Sequence, residues 1–176
     1  HRLSHIYKPQ TFSYSDLVTG PVVLHPRFVK IIRTREFVRL WEIKQLSTCY
    51  LLFPNALHTR AHHSLGVANL VRYWYDCLPT EEWQRVKPPE LYCLIAAALL
   101  HDLGHPAWSH VGEEFVNKFH QEYIPHDALS TQLILGKPEY NKYFTKWKSL
   151  PSVSQVLKKE EERENLKLKK PIARLV

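Results

Sequence analysis

His63 precedes the pair His101-Asp102 by 38 residues. Two imidazoles and a carboxylate are the nitrogen and oxygen donors that suit a borderline-hard divalent or ferrous ion. His63 lies in Leu57-His58-Thr59-Arg60-Ala61-His62-His63-Ser64-Leu65-Gly66, and the pair in Leu99-Leu100-His101-Asp102-Leu103-Gly104-His105-Pro106. On helices packed side by side, the three heads could converge on one ion, as in a metallohydrolase where the metal activates water and neutralises phosphate charge. Burying the Asp102 carboxylate beside Leu99, Leu100 and Leu103 is costly unless a cation or hydrogen-bond donors compensate it. A His-Asp ion pair closing a core helix would satisfy those two residues alone. His63 and the further histidines favour the metal. His105 and His110 follow the same helix end, and His126-Asp127 opens a later helix, an arrangement suited to a pocket of phosphate and proton donors. Arg60, three residues before His63, sits one helical turn away, and its planar fork suits a phosphate. His58 and His62 carry no comparable argument and read as solvated or structural.

Helices must position these groups. Residues 1–20 read as a polar, irregular segment, and Val18 to Leu24 as two short strands around Gly20-Pro21. Pro26 opens a first helix, where its missing N–H costs nothing. A second helix, about Arg35 to Leu46, carries Phe37, Leu40, Trp41 and Ile43 at spacings of three and four. A third runs from Ala61 to Cys77, followed by a loop with a helical turn at Thr80 to Trp83. A fourth, Glu90 to Leu103, is apolar almost all round and must be buried at the centre, with Gly104 and Pro106 stopping it. The fifth spans about Ser109 to His120 and the sixth His126 to Leu135, closed by Gly136. Beyond Ser152 the run Lys158 to Glu164 and Lys167 to Lys170 reads as a solvated charged helix or tail. The expected architecture is all-α: a helical bundle over 21–150 with a small N-terminal β-hairpin and a charged C-terminal segment over 151–176.

The 176 residues suffice for one domain with a sizeable core. An apolar fraction of 44% excludes wholesale disorder. A net charge of +7, from 24 basic and 17 acidic side chains, fits phosphate-bearing partners: nucleotides, nucleic acid or an anionic surface. Three widely spaced cysteines without a CxxC read as reduced, mostly buried thiols. The longest apolar run, Leu91 to Leu100, is too short to span a bilayer, and no secretory signal is visible, so an intracellular location, nucleus or cytoplasm, is expected. The absence of any methionine marks the sequence as part of something longer, or as its ordered parts only.

The pattern His63 … His101-Asp102 resembles the HD-domain phosphohydrolases. The words Phe53-Pro54-Asn55-Ala56-Leu57-His58-Thr59-Arg60-Ala61-His62-His63-Ser64-Leu65-Gly66-Val67 and His101-Asp102-Leu103-Gly104-His105-Pro106-Ala107-Trp108-Ser109-His110 narrow this to deoxynucleotide triphosphohydrolases of the sterile-alpha-motif-and-HD-domain type. Leu24-His25-Pro26 and Arg39 to Leu46 match as well, so the resemblance covers about residues 16 to 135. It implies that His63, His101 and Asp102 bind a divalent metal (Fe, Mn, Zn or Mg) and that His110 protonates the leaving 5′ oxygen. His105, His126 and Asp127 would line the phosphate and water site, Arg60 would hold the triphosphate, and Gln45 and Leu46 would contact the deoxyribose. The implied reaction is attack of water at the α-phosphorus, releasing nucleoside and triphosphate.

The departures matter too. The family's fourth metal ligand is a downstream aspartate, and this sequence holds only Asp16, Asp76, Asp102 and Asp127. Arg33, Val38 and Trp41 stand at the positions that read an allosteric guanine nucleotide in vertebrate members, so tetramerisation driven that way is not implied. Ser47-Thr48-Cys49 replaces a run of glycines. Three readings follow: a metal-dependent hydrolase of deoxynucleoside triphosphates, a catalytically weakened HD domain that binds nucleotide, nucleic acid or a protein, and an HD phosphodiesterase or nucleotidase. Each leaves room for a homo-oligomer.

Overall fold

A helix that is apolar on every side has to be covered on every side. That requirement organises this chain around Pro88–Leu100, whose residues Leu91 to Cys93 and Ile95 to Leu100 are all buried. The computed structural model describes residues 12–16, 20–120 and 123–176. Among them are strands β1 (Phe12–Asp16) and β2 (Gly20–Leu24) and helices α1 (Pro26–Ile32), α2 (Arg35–Arg39), α3 (Arg60–Cys77) and α4 (Thr80–Trp83). The central helix is α5, followed by α6 (Ser109–Phe119), α7 (His126–Leu135), α8 (Val153–Glu164) and α9 (Lys169–Leu175). The architecture is all-α with a small antiparallel hairpin, and α1, α3 and α9 pack around α5. No helix among the described residues is long and apolar enough to cross a membrane.

Helix α3 makes its largest helical contact with α5. Its buried stripe is Ala61, Ser64, Leu65 and Ala68, spaced i, i+3, i+4, i+7. Three of those four residues are small, which lets two helix axes approach closely. The start of α3 therefore lies beside the end of α5.

Several expectations need correction. The hairpin pairs Phe12–Asp16 with Gly20–Leu24, so Gly20 begins the second strand, at φ +74, and the first strand falls inside the segment read as irregular. Val18 and Thr19 lie outside the described residues. The second helix ends at Arg39 in a 3-10 turn, Leu40–Glu42, well short of Leu46. There the backbone finds another partner: Ile43 O accepts from Arg60 N (2.9 Å), Gln45 N donates to His58 O (3.0 Å), and Lys44 bridges to Thr59. Helix α5 ends at Leu100, and Gly104 is not its left-handed stop. A Cβ at Gly104 would stand 2.1 Å from His126 O and 2.9 Å from Leu129 Cβ, so glycine here lets the His-Asp turn lie against α7. Gly136, by contrast, closes α7 at φ +83 as expected.

The charged C-terminal run is helical, but one face of it belongs to the core. Val153, Val156, Leu157 and Glu160 of α8 and Ile172 of α9 are buried, and α9 packs on α7 and α5. Ser152 caps α8, while Glu36 of α2 accepts from Val153 N (2.8 Å) and satisfies another first-turn donor. Glu160 is 1% exposed yet charged, held by Arg27 (3.0 Å), Lys30 (2.9 Å) and Arg163 (2.8 Å). Cys93 is buried, whereas Cys49 and Cys77 are exposed, which departs from the expected mostly buried thiols.

Gly104→Ala puts a methyl group against backbone that cannot rotate away. It should cost about 3 kcal/mol, read as a lower urea midpoint at unchanged slope. A midpoint equal to wild type would mean that the turn does not press on α7 as described.

Candidate metal centre

Thr59 caps α3, and His62 completes a capping box by accepting from Thr59 N through Nδ1 (3.0 Å). His62 is thus structural, and His58 is exposed. The cap places His63 in the first turn of α3. His101 is the residue that closes α5, and Asp102 follows it. Because α3 begins where α5 ends, the three meet.

His63 Nε2 lies 3.3 Å from His101 Nε2, His101 Nε2 3.3 Å from Asp102 Oδ1, and His63 Nε2 3.9 Å from Asp102 Oδ2. Neighbouring ligands of one ion stand roughly 3.0–3.4 Å apart when each bond is about 2.1 Å. The tautomer fits as well. His101 Nδ1 bonds Ala98 O (2.9 Å), and a carbonyl only accepts, so Nδ1 carries the hydrogen and neutral His101 presents its Nε2 lone pair. Both imidazoles are about one-third exposed, while Asp102 is 4% exposed. The donor set therefore fits a divalent ion reached from the solvent side.

Burial by itself would raise the Asp102 carboxyl, but His101, Arg60 and His105 beside it outweigh burial and hold it below the usual carboxylate range. Burial also lowers His63, against the pull of Asp102. Arg60 is 1% exposed. Its Nη1 donates to Asp102 Oδ2 (2.6 Å) and its Nε to Ser109 Oγ (3.0 Å), leaving Nη2 without a partner among the described residues.

A second cluster adjoins the first. Ring nitrogens of His105, His110 and His126 and a carboxylate oxygen of Glu113 lie within 4.8 Å of one another. The His105 and His126 rings stack at 3.8 Å and 18°, so their lone pairs lie in nearly parallel, offset planes, which suits a shared ion poorly. Donor chemistry suits this group better. Glu113 accepts from His126 Nδ1 (2.9 and 3.0 Å), His126 N (2.9 Å), His110 Nδ1 (3.2 Å) and the Tyr123 hydroxyl. Burial opposes its charge, but the hydrogen bonds from Tyr123 and His126 win and bring it down to about 2. With Nδ1 of His110 and His126 committed to a carboxylate, Nε2 is the atom left to exchange a proton. His105 is 1% exposed and 3.5 Å from Asp102; burial first, then Arg60, pushes it down to about 3, so it is neutral at physiological pH.

Not every expected residue joins these clusters. Asp127 is exposed and bonds Ala128 N (2.6 Å) at the start of α7. Gln45 is half-buried, on the stretch that pairs with His58 to Arg60, and Leu46 just after it is exposed. Arg33 is exposed, Val38 is half-buried, and Trp41 packs edge-on against His62 at 5.0 Å. Ser47 takes φ +51, the conformation that glycine adopts most easily. Four residues not expected in the site support it. Glu113 orients two histidines, and Ser109 holds Arg60. Ser130 Oγ donates to His101 O (2.9 Å) and accepts from Gly104 N (2.8 Å), while Arg39 donates to the carbonyls of His105 (2.7 Å) and Leu103. Only Glu113 had a legible signal, its i+3 spacing from His110 on one helix.

The HD domain family model matches residues 60–175. The uncharacterized protein YwfO of Bacillus subtilis is 43% identical over 118 residues, 66% of this chain and 25% of that protein. The deoxynucleoside triphosphate triphosphohydrolase SAMHD1 of Gallus gallus is 41% identical over 103 residues, 56% of this chain and 16% of that enzyme. Its Homo sapiens counterpart is 38% identical over 111 residues, 62% of this chain and 18% of that enzyme. The chain thus spans a quarter or less of the length of these relatives.

Glu113 titrates near 4.5 when unfolded and near 2 when folded. A depressed carboxylate contributes stability that is present above the unfolded value and lost as pH falls toward the folded one. Wild type should therefore lose stability between about pH 4.5 and 2 more steeply than Glu113→Gln, measured by urea unfolding at each pH. Parallel pH profiles would show that Glu113 is not held as described.

Proposed function

The chain belongs to the HD domain family, and from that premise we propose that it is a metal-dependent phosphohydrolase acting on deoxynucleoside triphosphates, released as deoxynucleoside and triphosphate. The observation that carries this reading is His105, which touches both clusters: 3.5 Å from Asp102 on one side and stacked on His126 at 3.8 Å on the other. It sets a metal-ligand group beside a proton-donor group, the pairing that hydrolysis of a phosphate ester requires. The substrate class is supported by the vertebrate relatives, whose names specify deoxynucleoside triphosphates.

His63, His101 and Asp102 would hold the metal. When bound, a divalent ion there polarises water and neutralises phosphate charge. The side chains supply the rest. His110, its side chain 65% exposed, reaches the open side of the site, and its Nδ1 bond to Glu113 leaves Nε2 to protonate the leaving 5′ oxygen. His126, braced by the same carboxylate, would donate to the phosphate oxygens; Arg60 Nη2 is the guanidinium nitrogen left for a phosphate, although it is buried in this arrangement. Neutral His105 walls the site without adding positive charge beside a dication.

One observation favours a second reading. The metal group has three members among the described residues, and such a group also suits an HD domain that binds nucleotide without turning it over. Metal content and products decide. Purified protein should carry stoichiometric Fe, Mn or Zn by elemental analysis, and His101→Ala should lose it together with at least 100-fold in rate. Incubation with a deoxynucleoside triphosphate should yield inorganic triphosphate. Release of monophosphate or pyrophosphate would replace this reading with a phosphodiesterase or nucleotidase, and no hydrolysis after Mn or Mg addition would leave the binding reading.

A further inference from the structure

Trp108 and Ser109 both adopt left-handed backbone conformations, φ +62 and +54, although neither is glycine. Strain of that kind persists only where the surroundings enforce it. Here the enforcing contacts can be named. The turn is closed by Ser109 N on Pro106 O (3.2 Å), and Gly112 leaves room for it: a Cβ at Gly112 would stand 1.8 Å from Ala107 O. The conformation carries the Ser109 hydroxyl, fully buried, into the space between two functional segments. There Oγ donates to Lys44 O (2.6 Å) and accepts from Arg60 Nε (3.0 Å). The other arm of that guanidinium, Nη1, holds Asp102 Oδ2 at 2.6 Å. Arg60 N, in turn, donates to Ile43 O (2.9 Å).

We propose that Ser109 is a positioning residue for the metal ligand Asp102, acting through Arg60, and that it ties the stretch Ile43 to Gln45 to the metal group. A guanidinium fixed at Nε has its plane and its direction set, so Nη1 reaches one carboxylate oxygen only. Oδ1 is thereby left to face His101. The same hydroxyl anchors the backbone next to Gln45 and Leu46, so a shift of that stretch moves the carboxylate. This rests on the reading of His63, His101 and Asp102 as a metal site.

Ser109→Gly and Ser109→Ala separate the hydroxyl from the strain. Glycine suits φ +54 and relaxes the turn, alanine keeps the strain, and both remove Oγ. In a Co(II) titration followed by visible absorption, both variants should bind about 10–100-fold more weakly than wild type, with an altered ligand-field spectrum. A glycine variant with wild-type affinity and spectrum would overturn the proposal, since the residue would then serve the turn alone. The metal-free protein gives an independent reading. Ser109 and Asp102 should couple through Arg60, so the urea midpoints of Ser109→Gly, Asp102→Asn and the double variant should be non-additive. Should wild type bind no Co(II), the metal reading fails while this cycle still decides for Ser109, with additive midpoints counting against it.

Discussion

Asp102 carries a negative charge that is almost entirely removed from water, at the end of the most apolar helix in the molecule. An unpaired carboxylate in that position costs several kcal/mol, more than a typical side chain contributes to the fold. The structure answers with Arg60, which must then be buried as well. A buried guanidinium needs acceptors of its own, and Ser109 supplies one. Ser109 reaches it only through a left-handed turn, and that turn closes only because Gly112 has no side chain. A single desolvated charge thus dictates residues on two other helices.

The other constraint is distance. His63 and His101 face each other at 3.3 Å because the helices carrying them lie close, and they lie close because Ala61, Ser64 and Ala68 are small. Interiors pack densely, so a larger residue in that stripe would part the helices and open the ligand pair with them. The His101-Asp102 turn is fixed from the far side as well. Ser130 takes the His101 carbonyl, Arg39 takes those of Leu103 and His105, and Gly104 lets α7 press directly on the backbone. The ligands sit at helix ends, but neither end is free to fray.

Much of this was legible in the residue order. The apolar run of α5, the helix start at Pro26, the cap at Gly136 and the start of α7 at His126 follow local rules of periodicity and termination, which a single sequence displays. So does the grouping of His63 with His101-Asp102, since helix ends near one another concentrate chemistry. What the sequence hid depends on partners distant along the chain. The second helix stops early because residues 43–45 pair with 58–60, a backbone contact with no signature in side-chain period. The C-terminal charges looked solvated because composition hides a face set by Val153, Val156 and Leu157, and by a glutamate that three cations hold. Nothing local reveals that two of the three Arg60 nitrogens are engaged within the protein, which leaves Nη2 alone for a phosphate.

The two carboxylates of the site show how one small region supports two kinds of chemistry. Asp102 is paired with a permanent cation on Oδ2, which adds to the pull of His101 in keeping it ionised and leaves Oδ1 free to face a metal. Glu113 is paired with imidazoles and a phenol, groups that can exchange protons, so its charge serves to orient donors. Between them lies His105, too deeply buried to protonate near neutral pH. Were it cationic, it would repel a dication from the first group and compete for the carboxylate of Asp102. Kept neutral, it would let the proposed metal group and the proposed proton donors operate within a few ångströms of each other. Environments that push neighbouring titratable groups apart are how acid and base roles are divided in one pocket, and here the division is set by burial of one imidazole.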